Sequence, residues 1–184
     1  MYRSLIKQLL TTICAVFWLL PTHAYEQNAL QAKQTNDAKL SGYTLRGLTH
    51  VFVEVDGIHR DFAKYGLEAS TLKAQVESEL SRHGIVIVDR NALLNSPDVA
   101  RLRVKINANE NQYRFFHYGV KLELAQKIPL SKAGGFIAET TWTSGQTGVI
   151  MPMDLRRLGA YANDLVTIFL KDYRAQNPKV ATLR

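Results

Sequence analysis

The chain has 184 residues, with 23 Lys and Arg against 16 Asp and Glu, a formal net charge of +7, and a single cysteine. That length suits one domain that buries its own core without staples. One cysteine excludes an internal disulfide, and the absence of any dense Lys/Arg block argues against a nucleic-acid partner.

Met1 to Gln8 carries Arg3 and Lys7, and an apolar run, Leu9 to Leu20, follows. As a helix that run reaches about 18 Å at ~1.5 Å per residue, against a hydrocarbon core of roughly 30 Å, so it is too short to span a membrane. Pro21 and Thr22-His23-Ala24 complete the pattern of a cleavable export signal over 1–24, cut after Ala24. Cys14 lies inside the apolar run behind Thr12 and Ile13, which is wrong for a lipoprotein signal. The mature chain is therefore expected to be periplasmic, without a thiol or a transmembrane segment. Residues 25–44, rich in Gln, Asn, Lys and Thr, read as a flexible leader.

Residues 45–176 read as one domain. Leu48 to Val55 alternates as a first strand, closed by Asp56-Gly57. Leu72, Val76 and Leu80 predict an amphipathic helix over roughly 68–83, with Gly84 as its left-handed cap residue. Ile85 to Val88 is a continuous apolar run of the kind found in strands covered on both faces, so strand, helix and strand predict a right-handed βαβ unit. A short helical turn over Arg90 to Asn95 precedes Ala100 to Ala108, whose alternation sets Leu102, Val104 and Ile106 against Arg101, Arg103 and Lys105. A turn at Asn107 to Gln112, a strand from Tyr113 to Lys127 and a third from Gly134-Gly135 to about Ser144 complete an antiparallel meander. Leu155, Leu158, Ala162, Leu165, Val166, Phe169 and Tyr173 form the stripe of a last helix, stopped by Asn177-Pro178, and 177–184 is a tail. The predicted class is α/β (α+β): a five-stranded mixed sheet with two long helices packed on one face.

Four stretches, Leu45-Arg-Gly-Leu48, Val76-Glu-x-Glu-Leu80 with Gly84-Ile85, Thr141-Trp142-Thr-x-Gly145 and Asp172-Tyr173-x-x-x-Asn177-Pro178, resemble a largely uncharacterised family of exported bacterial α/β proteins. The resemblance implies structural motifs over 45–178, with no catalytic residue to carry over. The element order is also similar to the TolB amino-terminal domain and to LpoB-like periplasmic modules, which implies binding of envelope partner proteins.

Chemistry-bearing residues are sparse. His50, His59, His83 and His117 lack metal-ligand spacing, though His59-Arg60-Asp61 places an imidazole and a carboxylate on one side of an extended segment, against the plainer reading of a polar turn. Ser144-Gly145 lacks a nucleophile elbow. Glu123 and Glu139 sit on strands expected to pair, both on the solvent side. Gly145-Gln-Thr-Gly148 invites a phosphate loop between strand and helix, against a flexible connection. The basic residues Arg101, Arg103 and Lys105 beside Tyr113, Phe115 and His117 are the candidate binding face, against the alternative that the leader or a short helix covers the aromatics. The expectation is a non-catalytic periplasmic interaction module that binds an envelope protein or an anionic glycan, with no cofactor and no catalytic or metal site. The alternative is a small envelope hydrolase using His and carboxylates.

Overall fold

The computed structural model describes residues 42–131 and 134–178. The expected export signal over 1–24, residues 25–41 of the expected leader and residues 179–184 of the expected tail lie outside the described residues.

Five strands form one mixed sheet: β1 (His50–Asp56), β2 (Val86–Ile87), β3 (Val99–Glu110), β4 (Phe116–Pro129) and β5 (Phe136–Ile150). Their order is β2-β1-β3-β4-β5, with β1 parallel to β2 and β3, and β3, β4 and β5 successively antiparallel. The long helices are α1 (Ala69–Arg82) and α3 (Arg157–Gln176), and α2 (Arg90–Asn95) is one short piece between β2 and β3.

Strand alternation divides the sheet into two faces. Val51 and Val53, Leu102, Val104 and Ile106, and Val120, Leu122 and Leu124 are buried in one core cluster with Leu72, Val76 and Leu80 of α1 and Leu158, Leu165 and Phe169 of α3. Both long helices thus cover the same face, as the stripes at helical spacing require. Each fully buried aliphatic side chain in that layer is worth about 1.5–3 kcal/mol. No helix among the described residues is long and apolar enough to cross a membrane.

Helix α1 ends where its sequence says it must. Gly84 takes φ +85°, its N–H bonds to the Ser81 carbonyl, and the Ile85 N–H reaches back to the Leu80 carbonyl at 3.2 Å. This is a Schellman cap, with its apolar contact between buried Leu80 and Ile85. The Ile85–Val88 run is not a strand covered on both faces. Only Val86 and Ile87 pair, at the sheet edge, and Val86 is 50% exposed. The apolar run is used instead to seat Ile85 at the helix end.

The β2-to-β3 connection crosses back over β1, which for a right-handed crossover places α2 on the other face. Two side chains of that face meet it: Val99 is buried yet outside the core cluster, and the Lys127 ammonium donates to the Leu93, Leu94 and Ser96 carbonyls at 2.5, 3.2 and 2.8 Å.

The first and last motifs of the family resemblance form one joint. Gly47, at φ +74°, donates its N–H to Asn177 Oδ1 at 2.7 Å, while Asn177 Nδ2 donates to the Leu45 and Tyr173 carbonyls at 2.8 and 2.9 Å. Trp142 Nε1 donates to Asp172 Oδ2 at 3.0 Å, and its ring meets Phe169 edge-on at 5.1 Å. These residues tie the chain entry, the end of α3 and the fifth strand together, so their role is structural.

Two boundaries differ from the sequence expectation. Asn107 to Glu110 continue β3, so the turn is Asn111–Phe115, and β4 begins at Phe116 rather than Tyr113. Strand β5 does not stop near Ser144 but runs to Ile150.

Candidate functional site

The face opposite the long helices is the candidate site. On it, β1 presents Glu54, β3 presents Arg101, Arg103 and Lys105, and β4 presents Lys121 and Glu123, because each shares the parity opposite to the buried side chains. Register then decides which charges meet. Glu54 lies opposite Arg103, and its carboxylate accepts from Arg103 Nε at 2.7 Å with Arg101 Nη1 at 3.8 Å. Lys105 lies opposite Lys121, and both ammonium groups converge on Glu123, at 3.0 and 2.7 Å. Two carboxylates are therefore shared among four cations, and with Asp56, opposite Lys105 in the β1–β3 register, the acids on this face still number one fewer than those cations.

Glu123 is the well-packed member. Its hydrogen bonds from Lys121, then Lys105, hold its carboxyl below the ordinary value, against a smaller opposing effect of burial. A depressed folded pKa contributes stability that is present above the unfolded value, about 4.5, and is lost as pH falls through the folded value. The melting temperature of wild type is expected to fall more steeply below about pH 4.5 than that of Glu123→Gln, which cannot titrate. Parallel acid limbs in a series of thermal melts would refute the pairing.

The basic and aromatic candidates occupy different places. Tyr113 and Phe115 belong to the β3–β4 turn, not to a strand, so strand parity does not govern them; they are exposed because the turn is. Asn111 Oδ1 shapes that turn by accepting from the Tyr113 and Phe115 N–H groups at 2.9 and 3.1 Å, and Arg114 takes φ +63°. His117, at the start of β4, lies opposite Asn109, with Asn111 Nδ2 at 3.3 Å from its Nε2. Along β3 from Asn109, Lys105 is about 13 Å away and Arg101 about 26 Å at ~3.3 Å per residue. Arg101, Arg103 and Lys105 thus form a mid-sheet patch, while Tyr113, Phe115 and His117 sit at its far end. Sequence reasoning missed Glu54 and Lys121, although their parity in β1 and β4 was readable.

Glu123 lies opposite Thr143 and Glu139 opposite Gln126, on different sides of the sheet, so the two carboxylates do not meet. Gly145 and Gly148 are neither a phosphate loop nor a flexible connection: both are inside β5, opposite Lys121 and Tyr118. Their lack of a side chain makes room, since a Cβ at Gly148 would stand 2.9 Å from the Tyr118 ring and one at Gly145 would stand 3.0 Å from the Val120 carbonyl. His50 Nδ1 pairs with the Thr49 hydroxyl at 2.8 Å and His83 Nδ1 with the Glu79 carbonyl at 2.9 Å. His59 Nδ1 lies 3.1 Å from Asp61 Oδ2 at the mouth of a cleft of about 610 Å³ that Asn107, Glu110 and Arg114 also line.

No family model matches the chain, and no curated protein is significantly similar to it. Among solved structures it is similar to a minor lipoprotein from Acinetobacter baumannii, at 13% identity and a TM-score of 0.40 over 72% of this chain and 95% of that one. It is also similar to PelC from Paraburkholderia phytofirmans, at 16% and 0.38 over 69% and 89%, and to a neuraminyllactose-binding hemagglutinin homologue from Helicobacter pylori, at 15% and 0.37 over 69% and 86%. Likenesses of this strength carry no argument about function, and no relation to the TolB amino-terminal domain or to LpoB-like modules rests on them.

Proposed function

We propose that this chain is a non-catalytic interaction module of the bacterial cell envelope, exported to the periplasm with its signal removed after Ala24, that binds an envelope protein or an anionic glycan on its open sheet face. The observation that supports this reading is the convergence of Arg101, Arg103, Lys105 and Lys121 on two carboxylates, Glu54 and Glu123. A guanidinium carries five N–H donors in a planar fork, and the hydrogen bond from Arg103 to Glu54 uses its Nε–H, so a sulfate, carboxylate or phosphate group on a partner is suited to the remaining donors. Tyr113, Phe115 and His117 are an outlying aromatic end of the same face, suited to a sugar ring or a protein anchor.

The hydrolase reading has one observation in its favour, the His59–Asp61 approach at the cleft. That approach is a helix cap, however: His59 Nδ1 accepts the Asp61 N–H at 3.3 Å at the head of the short 3-10 turn Arg60–Tyr65. Both side chains are also largely exposed, at 70% and 71%, so neither group is desolvated as a catalytic pair would be.

The test is capture of the purified exported protein on dextran sulfate, with neutral dextran as control, and on crosslinked envelope fractions. Arg101→Gln/Arg103→Gln is used because Glu at either position would repel Glu54. Affinity is expected to fall by about tenfold or more with a weaker salt dependence, while the melting temperature stays within a few degrees. Unchanged capture of every partner by the double variant would remove this face from consideration.

A further inference from the structure

We propose that β5 is a self-pairing edge, and that two copies of this chain join antiparallel strands β5 about a two-fold axis at Thr143 into one continuous sheet. This inference rests on the edge strand and stands apart from the anion-binding reading.

An unpaired edge strand exposes a row of N–H and C=O groups, and monomeric proteins guard such edges with short strands, charge or proline. Among the described residues one edge is guarded and the other is not. At one side the edge strand is β2, two residues long. At the other it is β5, fifteen residues long with Glu139 as its only charged residue, and among the described residues nothing pairs with its outer side. The charges that would guard an edge stand instead on the interior strands, at Arg101, Arg103 and Lys105 of β3 and Lys121, Glu123 and Lys127 of β4.

The pattern of β5 is self-complementary once its bulge is included. The β4–β5 register slips between Leu124 and Ala125, which pair with Trp142 and Thr140 and leave Thr141 as the extra residue. With Thr143 opposite its own copy, Trp142 faces Ser144, and the bulge then sets Thr140 opposite Gly145, Glu139 opposite Gln146, Ala138 opposite Thr147, Ile137 opposite Gly148 and Phe136 opposite Val149. Every pair keeps both side chains on the same side of the sheet. Phe136 and Val149, 55% and 58% exposed in the single chain, cover each other twice over. The lone acid meets an amide and not its own copy. Thr141, the residue left out of the register, already has its carbonyl engaged by the Thr44 hydroxyl at 3.2 Å.

Directly opposed residues of an antiparallel pair have Cα atoms about 4.5–5.5 Å apart, within disulfide reach. In a Cys14→Ser background, Thr143→Cys should close a disulfide with its copy on mild oxidation. Thr147→Cys alone should not, but mixed with Ala138→Cys it should. Wild type should sediment at twice the chain mass, dissociating on dilution. A single-chain mass at every concentration overturns the proposal, as does a dimer in which Thr143→Cys never crosslinks or Thr147→Cys alone crosslinks equally well. A monomer that instead retains an envelope protein along β5 would assign the edge to a foreign strand and overturn self-pairing. Loss of dextran sulfate binding without loss of dimer mass would sink only the anion-binding reading.

Discussion

Leu165→Asp is expected to abolish cooperative folding. Leu165 is buried in the middle of α3, within the core cluster and on the stripe that also carries Leu158, Ala162 and Phe169. Truncating such a leucine costs about 2–5 kcal/mol through lost transfer energy and the cavity left behind. The aspartate adds a polar group without a partner among apolar neighbours, several kcal/mol more whether it stays charged or takes up a proton. Together these approach the whole stability of a domain, roughly 5–15 kcal/mol. Ile168→Asp is the control, three residues further along the same helix but exposed, where substitutions change stability by about 0.5 kcal/mol. Far-ultraviolet circular dichroism on heating decides it: a cooperative Leu165→Asp transition within a few degrees of wild type would show that this face of α3 is not core.

What was legible in the sequence followed period and local chemistry. The parity of β3 and the stripes of α1 and α3 can be read because a strand repeats every two residues and a helix every 3.6. The Gly84 cap can be read because only glycine takes that φ without strain. Pairing register was not legible. The Arg103–Glu54 bond joins residues 49 apart, and a slip of one position would send either side chain to the opposite face. Gly145 and Gly148 read as breakers because a single sequence does not reveal that a neighbouring strand brings Tyr118 against one of them and the Val120 backbone against the other. The apolar end of the β4–β5 hairpin, with Ile128, Leu130, Phe136 and Ile137 exposed, went unmarked for a related reason. Its exposure depends on where β3 stops pairing: beyond Ala125 the hairpin has only two strands. The binding candidates follow the same division, since the basic residues and His117 lie on the parity expected of them, whereas Tyr113 and Phe115 fall in a turn whose boundary periodicity could not locate.

Trp142→Ala should produce the second large loss, because one side chain holds three elements at the bulge of β5. Its ring is buried opposite Leu124, meets Phe169 of α3 edge-on at 5.1 Å, and donates its N–H to Asp172 near the end of the same helix. Removing the ring costs about 3–5 kcal/mol as a large-to-small core substitution. It also leaves the part-buried Asp172 carboxylate without its indole donor. Trp142→Phe divides the loss: it keeps an aromatic ring against Phe169 but gives up the hydrogen bond, a cost of about 1–3 kcal/mol, together with the smaller volume difference between indole and phenyl. At roughly 2–4 °C per kcal/mol for a domain of this size, the alanine variant should melt about 10 °C below wild type and the phenylalanine variant a few degrees below. Asp172→Asn, which keeps an acceptor for the indole N–H, should fall between Trp142→Phe and wild type. Urea unfolding supplies the measurement, because its midpoint shifts with stability while an unchanged slope certifies the same folded and unfolded states. Equal midpoints for Trp142→Ala and wild type would mean that α3 and β5 are not joined through this ring; a loss in Trp142→Phe as large as in Trp142→Ala, with Asp172→Asn at wild-type level, would mean that the shape of the indole and not an aromatic ring as such holds the bulge to the helix.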